Sequence, residues 1–317
     1  MQFAPLYPIL YRILKPSFPT CLWTGATNSR AIALTFDDGP HPQYTPELLQ
    51  VLDHYNIKAS FFWLGVCVER SPSVAREVYN RGHSIGLHGY DHTSFPFLTP
   101  DALKQSLEKT QAAICVALSS SCFPTSSSDF DPPKSPLKQG TLTEFSPLNK
   151  GGWGGSEDWK TDPSTTATSL DHTSAANVVN QAKKRSPTQN TTVREGVCPT
   201  PMYYAQADKI RPENFRDVRP PNGLFTPQTL SLLYQWKYRP VMWSVVPEDW
   251  ERPGVSVVVQ RVLRQVQNGS LIVLHDGYCG GQDVAQTTAQ LIPQLLQQGY
   301  HFITIDQLWQ QSQPLVR

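Results

Sequence analysis

Short apolar segments alternate with longer amphipathic segments along most of the chain. The first apolar segment, Ala31 to Thr35, suits a strand that is covered on both faces, and Gly39-Pro40 supply the turn that ends it. Counting this segment, we find seven candidate strands, which lie at residues 31–36, 59–65, 84–88, 215–219, 240–245, 270–275 and 301–305.

Helices are predicted between these strands by a recurring Ser/Thr-Pro pair. The pair suits the N-cap and first position of a helix, and it occurs at Thr45-Pro46, Ser71-Pro72, Thr99-Pro100 and Thr226-Pro227. Alternation of strand and helix predicts βαβ units with parallel pairing. Seven parallel strands favour an α/β fold, a distorted (β/α) barrel of the TIM type with its chemistry at the C-terminal strand ends. An open doubly wound sheet fits the alternation almost as well.

Residues 119–211 interrupt this alternation. They are rich in Ser, Thr, Pro, Gly, Asn and Lys, and they contain too little apolar surface to offset the entropy of ordering. We therefore predict a domain made of two parts, residues 30–118 and 212–317, separated by a long, mostly disordered low-complexity insertion.

The N-terminal segment, residues 1–29, is apolar but broken by prolines. It lacks the basic start and uninterrupted apolar run of a signal peptide, and it lacks the roughly 20 apolar residues of a membrane-spanning helix. Two roles for residues 1–29 therefore stay open: the segment touches a membrane, or it covers the barrel.

The charge composition argues against nucleic acid as a binding partner. The chain has 317 residues with 27 Lys+Arg against 26 Asp+Glu, so a basic footprint for nucleic acid is missing. The six cysteines show no C-x-x-C pair, which makes them packing residues rather than metal ligands. No oligomeric state follows from these features.

Candidate catalytic and metal-binding residues lie where the predicted strands end. Asp37 and Asp38 follow the first strand, and two neighbouring carboxylates need a cation or a hydrogen-bonding partner unless they form a solvated turn. His88 and His92 are four residues apart, so one turn puts both imidazoles on one side. Two histidines and one carboxylate make a three-ligand metal site that leaves a position open for water; unrelated loop histidines are the alternative.

Two further strand ends carry polar residues. In Arg219-Pro-Pro-Asn-Gly223, the prolines and the glycine hold Arg219 and the Asn222 amide in fixed directions, and a guanidinium beside the aspartates would keep one of them ionised. Alternatively, Arg219 is a surface anchor. His275 ends the strand 271–275 and can donate a proton near neutral pH if a carboxylate orients it, for which Asp249 is our candidate; a core histidine is the alternative.

Five motifs occur here in the order seen in polysaccharide deacetylases, which form carbohydrate esterase family four. They are TFDDGP, H-x3-H, RPPNG, EDW and LIVLHD. The chain resembles this family over residues 30–118 and 212–310. The resemblance implies a metal-dependent amide or ester hydrolase on a distorted (β/α) barrel. It also implies an acetylated glycan as substrate, which would favour a location in the cell envelope.

The resemblance implies roles for the first group of residues. Asp37 would be the general base, and Arg219 would position and tune it. A divalent metal would be bound by Asp38, His88 and His92. Zinc is the usual metal, with Co²⁺, Ni²⁺ and Mn²⁺ as alternatives.

The resemblance also implies a proton donor and an acetyl pocket. His275, oriented by Asp249, would protonate the leaving amine, and the Asn222 backbone amide would stabilise the oxyanion. The methyl group of the acetyl would meet an apolar wall formed by Trp250, Val273 and Leu274. Asn222 stands where the family often has tyrosine, and Val246 stands where it often has an earlier aspartate, which weakens the assignment of Asp249.

The leading expectation is hydrolysis of N-acetyl groups on N-acetylglucosamine-containing glycan, either chitooligosaccharide or peptidoglycan. An O-acetyl esterase acting on xylan is a second reading, because the same site serves both bonds. A catalytically silent glycan-binding protein is a third.

Overall fold

Strand β1 (Ala31–Asp37) pairs with three other strands of a seven-stranded parallel sheet in the computed structural model, which describes residues 6–119 and 210–312. It pairs with β2 (Ser60–Trp63) on one side and with β6 (Leu271–His275) on the other. The sheet continues from β2 through β3 (Ser84–Leu87), β4 (Asp217–Val218) and β5 (Arg239–Pro240), while β7 (His301–Phe302) pairs with the start of β1.

The sheet curls until its far side meets β6. Val245, beyond β5, forms a parallel bridge with Ile272, and the Val273 N–H donates a hydrogen bond to the Val245 carbonyl at 3.0 Å. All the strands of the described residues run parallel, so the predicted distorted (β/α) barrel is confirmed. The predicted strand at 240–245 is largely replaced by single bridges at Val241 and Val245.

Helices surround the sheet, as the alternating pattern predicted. They are α1 (Tyr7–Ser17), α2 (Tyr44–His54), α3 (Gly65–Arg70), α4 (Pro72–Asn80), α5 (Pro100–Ser119), α6 (Pro227–Gln235), α7 (Val255–Gln265), α8 (Val284–Gln297) and α9 (Ile305–Ser312). Every residue of β1 is buried, which accounts for its apolar sequence.

The Ser/Thr-Pro pairs cap their helices in some cases only. The Thr226 hydroxyl accepts a hydrogen bond from the Thr229 N–H at 3.1 Å, as an N-cap should. The prediction for Thr45 was wrong, because α2 already begins at Tyr44. The buried Thr45 hydroxyl instead accepts from the His41 N–H and donates to the Asp276 carboxylate at 2.5 Å.

Helix α1 forms despite the prolines of the N-terminal segment. Pro8 lies in its first turn, where no intrahelical donor is lost, and Pro16 lies in its last. The Tyr7 ring packs edge-on against Trp243 and Trp250, with ring centroids 5.4 and 6.3 Å apart. The segment therefore covers one rim of the barrel. Among the described residues, no helix is long and apolar enough to cross a membrane.

The predicted insertion lies almost wholly outside the described residues. Its flanks are α5, which ends at Ser119, and a 3-10 helix at Pro212–Asn214. The disorder and the domain boundaries assigned to residues 119–211 stay predictions.

Candidate active site

A cavity of about 400 Å³ opens at the C-terminal ends of the strands, where a barrel of this type carries its chemistry. The parallel register pairs Asp37 with His275, so the last residues of β1 and β6 meet at its floor. Nine of the eleven predicted site residues line it, namely Asp37, Asp38, His88, His92, Arg219, Asn222, Trp250, Val273 and His275.

A group of three possible metal ligands lies on one side of this cavity. The Nε2 atoms of His88 and His92 lie 3.4 and 3.3 Å from the Asp38 Oδ1. Ligand atoms of all three residues lie within 4.8 Å of one another. The Asp38 Oδ1 is buried and has no hydrogen-bond partner, which is costly for a carboxylate unless a cation takes its charge. The donor set of one carboxylate and two imidazoles suits a divalent metal.

The backbone around these ligands is held in uncommon conformations. Asp38 has φ 71° and His92 has φ 66°, both in the left-handed region. Such angles persist only where surrounding contacts enforce them, and they cluster at functional sites.

A hydrogen bond fixes the orientation of His88. Its Nδ1 lies 2.8 Å from the Arg219 carbonyl oxygen, so Nδ1 carries the proton that is donated and Nε2 is left to face Asp38. Burial lowers the pKa of His88, which favours the neutral imidazole that a metal requires.

Asp37 forms a buried ion pair with Arg219. The Arg219 Nη1 donates to the Asp37 Oδ1 at 2.6 Å, and the two side chains are only 4% and 2% exposed. The same guanidinium donates to the Thr35 hydroxyl at 2.8 Å and to the Met242 carbonyl at 3.0 Å, and it lies over the Phe62 ring. The arrangement leaves Asp37 a fixed carboxylate facing the cavity.

His275 and Asp249 form the second acid–base pair. The His275 Nδ1 lies 2.9 Å from the Asp249 Oδ1, and the His275 backbone N–H donates to the Asp249 Oδ2 at 2.7 Å. Burial alone lowers the pKa of His275, but the charge and hydrogen bond of Asp249, together with Asp38 and Asp37, raise it to about 10 in the metal-free protein. The imidazole is therefore a proton donor whose Nε2 is directed away from Asp249.

The turn at Asn222 also lines the cavity. Asn222 has φ 57°, and its side-chain amide donates to the Ser94 hydroxyl at 2.8 Å. That bond fixes the residue whose backbone amide we expect at the oxyanion.

The apolar wall includes Trp250 and Val273 but not Leu274. The Trp250 ring lies edge-on to His275, with centroids 5.0 Å apart, and Val273 lines the cavity. The prediction for Leu274 was wrong, because successive residues of a strand point to opposite faces. Val273 and His275 face the cavity beside Thr35 and Asp37, whereas Leu274 pairs with Phe36 and is completely buried in the core.

Tyr7 and Asp276 belong to the site, although the sequence analysis assigned no role to either. Tyr7 lines the cavity from α1, a placement for which the sequence carries no local signal. Asp276 is the last residue of the LIVLHD motif, so a signal for it existed. Its backbone N–H donates to the Asp37 carbonyl, and its buried carboxylate lies under the turn at Gly39, where an added Cβ would come within 2.5 Å of it. Burial, with Asp38 and Asp37, raises the pKa of Asp276 to about 7 against the hydrogen bond from Thr45.

The chain is similar to known proteins over nearly its whole length. Residues 24–138 match the family model described as polysaccharide deacetylase. A peptidoglycan-N-acetylglucosamine deacetylase of Bacillus cereus is 27% identical over 90% of this chain and 91% of its own. A chitooligosaccharide deacetylase of a Bradyrhizobium species is 24% identical over 89% and 92%.

Solved structures share the fold. A peptidoglycan N-acetylglucosamine deacetylase superposes with a TM-score of 0.59 at 21% identity, over 92% of this chain and 93% of its own. A CE4 family pseudoenzyme of Bacillus anthracis superposes with a TM-score of 0.57 at 18% identity, over 90% and 67%. The same barrel thus occurs in a protein described as an enzyme and in one described as a pseudoenzyme.

Proposed function

Because this chain is a relative of the polysaccharide deacetylases of carbohydrate esterase family four, we propose that it hydrolyses N-acetyl groups on N-acetylglucosamine-containing glycan. The relatives named above act on peptidoglycan or on chitooligosaccharide. Chitooligosaccharide or peptidoglycan is therefore the substrate class that we propose. The bond broken is the acetamide C–N bond, and the products are acetate and a free amine.

We propose that Asp38, His88 and His92 hold a divalent cation, with zinc as the first choice. The unpartnered Asp38 oxygen and the inward-facing imidazole nitrogens support this assignment. When bound, such a cation polarises the acetyl carbonyl and lowers the pKa of water to about 7.

Asp37 is the proposed general base. It takes a proton from the water that attacks the carbonyl carbon, and its ion pair with Arg219 holds the carboxylate in position for that step. Thr35 and Met242 hold the guanidinium from behind, so the carboxylate cannot turn away from the cavity.

His275 is the proposed general acid. It donates a proton to the leaving nitrogen as the C–N bond breaks, and Asp249 orients its ring and stabilises its charge. The Asn222 backbone amide donates to the developing oxyanion, a contact worth about 3 kcal/mol in comparable sites. Trp250 and Val273 bound the space for the acetyl methyl group.

One observation carries the proposal: a base and an acid, each with its own buried partner, flank the same three-ligand group at adjacent strand ends. A silent glycan-binding protein on this barrel is the alternative from another class. The complete set of base, ligands and acid counts against it, since a silent relative has no need to keep them. An O-acetyl esterase would use the same groups, with an alcohol as the leaving group.

The test measures acetate release from chitin oligomers, peptidoglycan and acetylated xylan. Metal-stripped protein is assayed alone and with Zn²⁺, Co²⁺, Ni²⁺ or Mn²⁺. Asp37→Asn is compared with Asp101→Asn, which changes an exposed aspartate in the first turn of α5. We expect metal-restored release on one of the two N-acetylated glycans, loss in Asp37→Asn and retention in Asp101→Asn.

Other outcomes would change the assignment. Full activity in Asp37→Asn would exclude Asp37 as the base. Release from xylan alone would make the protein an O-acetyl esterase, and glycan binding with no release under any metal would make it a silent homologue.

A further inference from the structure

Helix α1 exposes a stripe of aliphatic side chains to solvent. Leu6, Ile9, Leu10 and Ile13 are 48, 55, 43 and 58% exposed. Their spacing places them on one side of the helix, the pattern of an amphipathic helix whose apolar face is usually covered. We call these four residues the outer stripe.

The inner side of α1 is fixed to the barrel. Tyr7 packs on Trp243 and Trp250, and Tyr11 packs on Trp23 with ring centroids 6.3 Å apart. Because these aromatic contacts hold the helix in place, rotation of α1 cannot bury the outer stripe against the described part of the barrel.

Arg12 lies next to Ile9 at the edge of the outer stripe, and Lys15 lies farther round the helix, where its ammonium donates to the Tyr11 hydroxyl. Helix α1 contains Arg12 and Lys15 and no acidic residue. A cavity of about 390 Å³ beside the helix is lined by Arg12, Lys15 and Arg264 and by hydroxyl and amide side chains, again without an acidic residue. Three cations with several neutral donors form a site suited to a phosphate group.

We propose that the outer face of α1 docks the protein on an anionic lipid surface. The outer stripe would enter the boundary between headgroups and acyl chains, while Arg12, Lys15 and Arg264 would receive lipid phosphates. Helix α1 has 11 residues, which is too short to span a bilayer but sufficient to lie in its interface.

The charge pattern favours lipid over a second copy of this chain. A two-fold contact through the outer stripe would bring the Arg12 residues of two copies near each other, and like charges at such a contact oppose association. An anionic surface satisfies both the apolar and the basic residues. Docking would also hold the active-site cavity close to the membrane, because Tyr7 belongs to both α1 and the cavity lining.

The test is co-sedimentation of the full chain with lipid vesicles. Vesicles of phosphatidylcholine alone are compared with an equimolar mixture of phosphatidylcholine and phosphatidylglycerol. We expect strong binding to the anionic mixture only. Ile9→Ser/Ile13→Ser should weaken it by at least about tenfold, because two half-exposed side chains lose their apolar burial. Arg12→Gln/Arg264→Gln should weaken it by about thirtyfold through the loss of two charges.

A matched control changes two exposed aliphatic residues on other helices. Val116 on α5 and Leu296 on α8 are 68 and 43% exposed, and Val116→Ser/Leu296→Ser should leave vesicle binding unchanged. Chemical denaturation of each variant shows that the fold is retained. This readout and vesicle binding are independent of deacetylation, so the docking proposal and the proposed activity succeed or fail separately.

Three results would overturn the proposal. The first is an absence of binding to anionic vesicles, as expected if another segment of the chain covers the outer stripe. The second is equal binding by the wild type, Ile9→Ser/Ile13→Ser and Arg12→Gln/Arg264→Gln. The third is a dimer in light scattering that Ile9→Ser/Ile13→Ser dissociates, which would assign the stripe to a second copy.

Discussion

Replacing Arg219 by methionine tests the buried ion pair on which the proposed base depends. Methionine keeps an unbranched apolar stem that can pack on Phe62, but it removes the charge and every donor of the guanidinium. Asp37 would lose its partner at 2.6 Å, and Thr35 and the Met242 carbonyl would lose theirs.

The size of the effect follows from burial. Both members of the pair are at most 4% exposed, so water cannot take the place of the guanidinium. Leaving a buried charge without its partner typically costs about 3–5 kcal/mol of unfolding free energy, and we expect about 4 kcal/mol for Arg219→Met. Thr35 should add little, since its hydroxyl keeps a hydrogen bond to the Ile272 carbonyl.

The assay is urea denaturation of metal-stripped protein, so that metal binding does not contribute. The double variant Asp37→Asn/Arg219→Met is the control, because a neutral amide needs no counter-charge. We expect it to recover at least about 2 kcal/mol of the loss, a coupling typical of residues in direct contact. A loss below about 1 kcal/mol in Arg219→Met, or a double variant no more stable than the single one, would refute the reasoning.

Four further predictions concern the cavity and the turn beside it. The pKa of His275 is raised above its unfolded value to about 10, so the stability that the charged imidazole contributes is fully present below about pH 6.5 and is lost as pH rises toward 10. Asp249→Asn should therefore destabilise the metal-free protein more at pH 6 than at pH 10 in urea denaturation. An equal loss of stability at both pH values would contradict the pairing of Asp249 with His275. The pKa of Asp276 is raised to about 7, so its ionisation lowers the unfolding free energy as pH rises between about 4 and 7. Asp276→Asn should therefore make the unfolding free energy less dependent on pH in that range, measured by urea denaturation. An unchanged dependence on pH would contradict the burial of the Asp276 carboxylate. Gly39→Ala should lower the melting temperature markedly, since its Cβ would meet the Asp276 carboxylate at 2.5 Å, and an unchanged melting temperature would show that the turn can move. Asp38→Asn should reduce zinc bound at equilibrium by at least about tenfold, measured by metal analysis after dialysis, because it removes the only anionic ligand among the three; undiminished zinc would place the metal elsewhere.

The sequence was sufficient to place polar residues at strand ends, and the parallel fold then brought those ends together. Asp37 and His275 are 238 positions apart, yet the β1–β6 register makes them neighbours. Leu274 lies outside the expected acetyl pocket because the alternation of β6 directs its side chain into the core, opposite to Val273 and His275. Thr45 was misplaced because its hydroxyl binds the distant Asp276, a tertiary contact that outweighs the local capping pattern.

The position of α1 lay beyond sequence reasoning for a different reason. Its apolar residues divide between a face that packs on tryptophans and a face that does not pack on the described barrel. Periodicity reports that a helix is amphipathic or apolar, but it does not report which neighbour covers each side. Membrane contact and barrel cover were treated as alternatives, whereas the two faces of one helix can serve both.

Arg219 connects the two halves of the proposed chemistry. Its guanidinium binds Asp37, its carbonyl accepts from the His88 ring, and its N–H donates to the Leu87 carbonyl at 2.9 Å. Base and metal ligand are therefore positioned by one residue of one short turn.

The turn itself is anchored by contacts that do not involve residues 120–209. The Gln111 amide on α5 donates to the Pro212 and Phe215 carbonyls at 2.9 and 2.8 Å, and its oxygen accepts from the Tyr238 hydroxyl. These bonds fix the returning chain just before β4, where it joins β3. Since loop-closure entropy grows only slowly with length, a long connection between α5 and this anchor is compatible with an intact site. The position of Arg219, which contacts both Asp37 and His88, is thus supported by the β3–β4 contact and by the Gln111 hydrogen bonds just before β4.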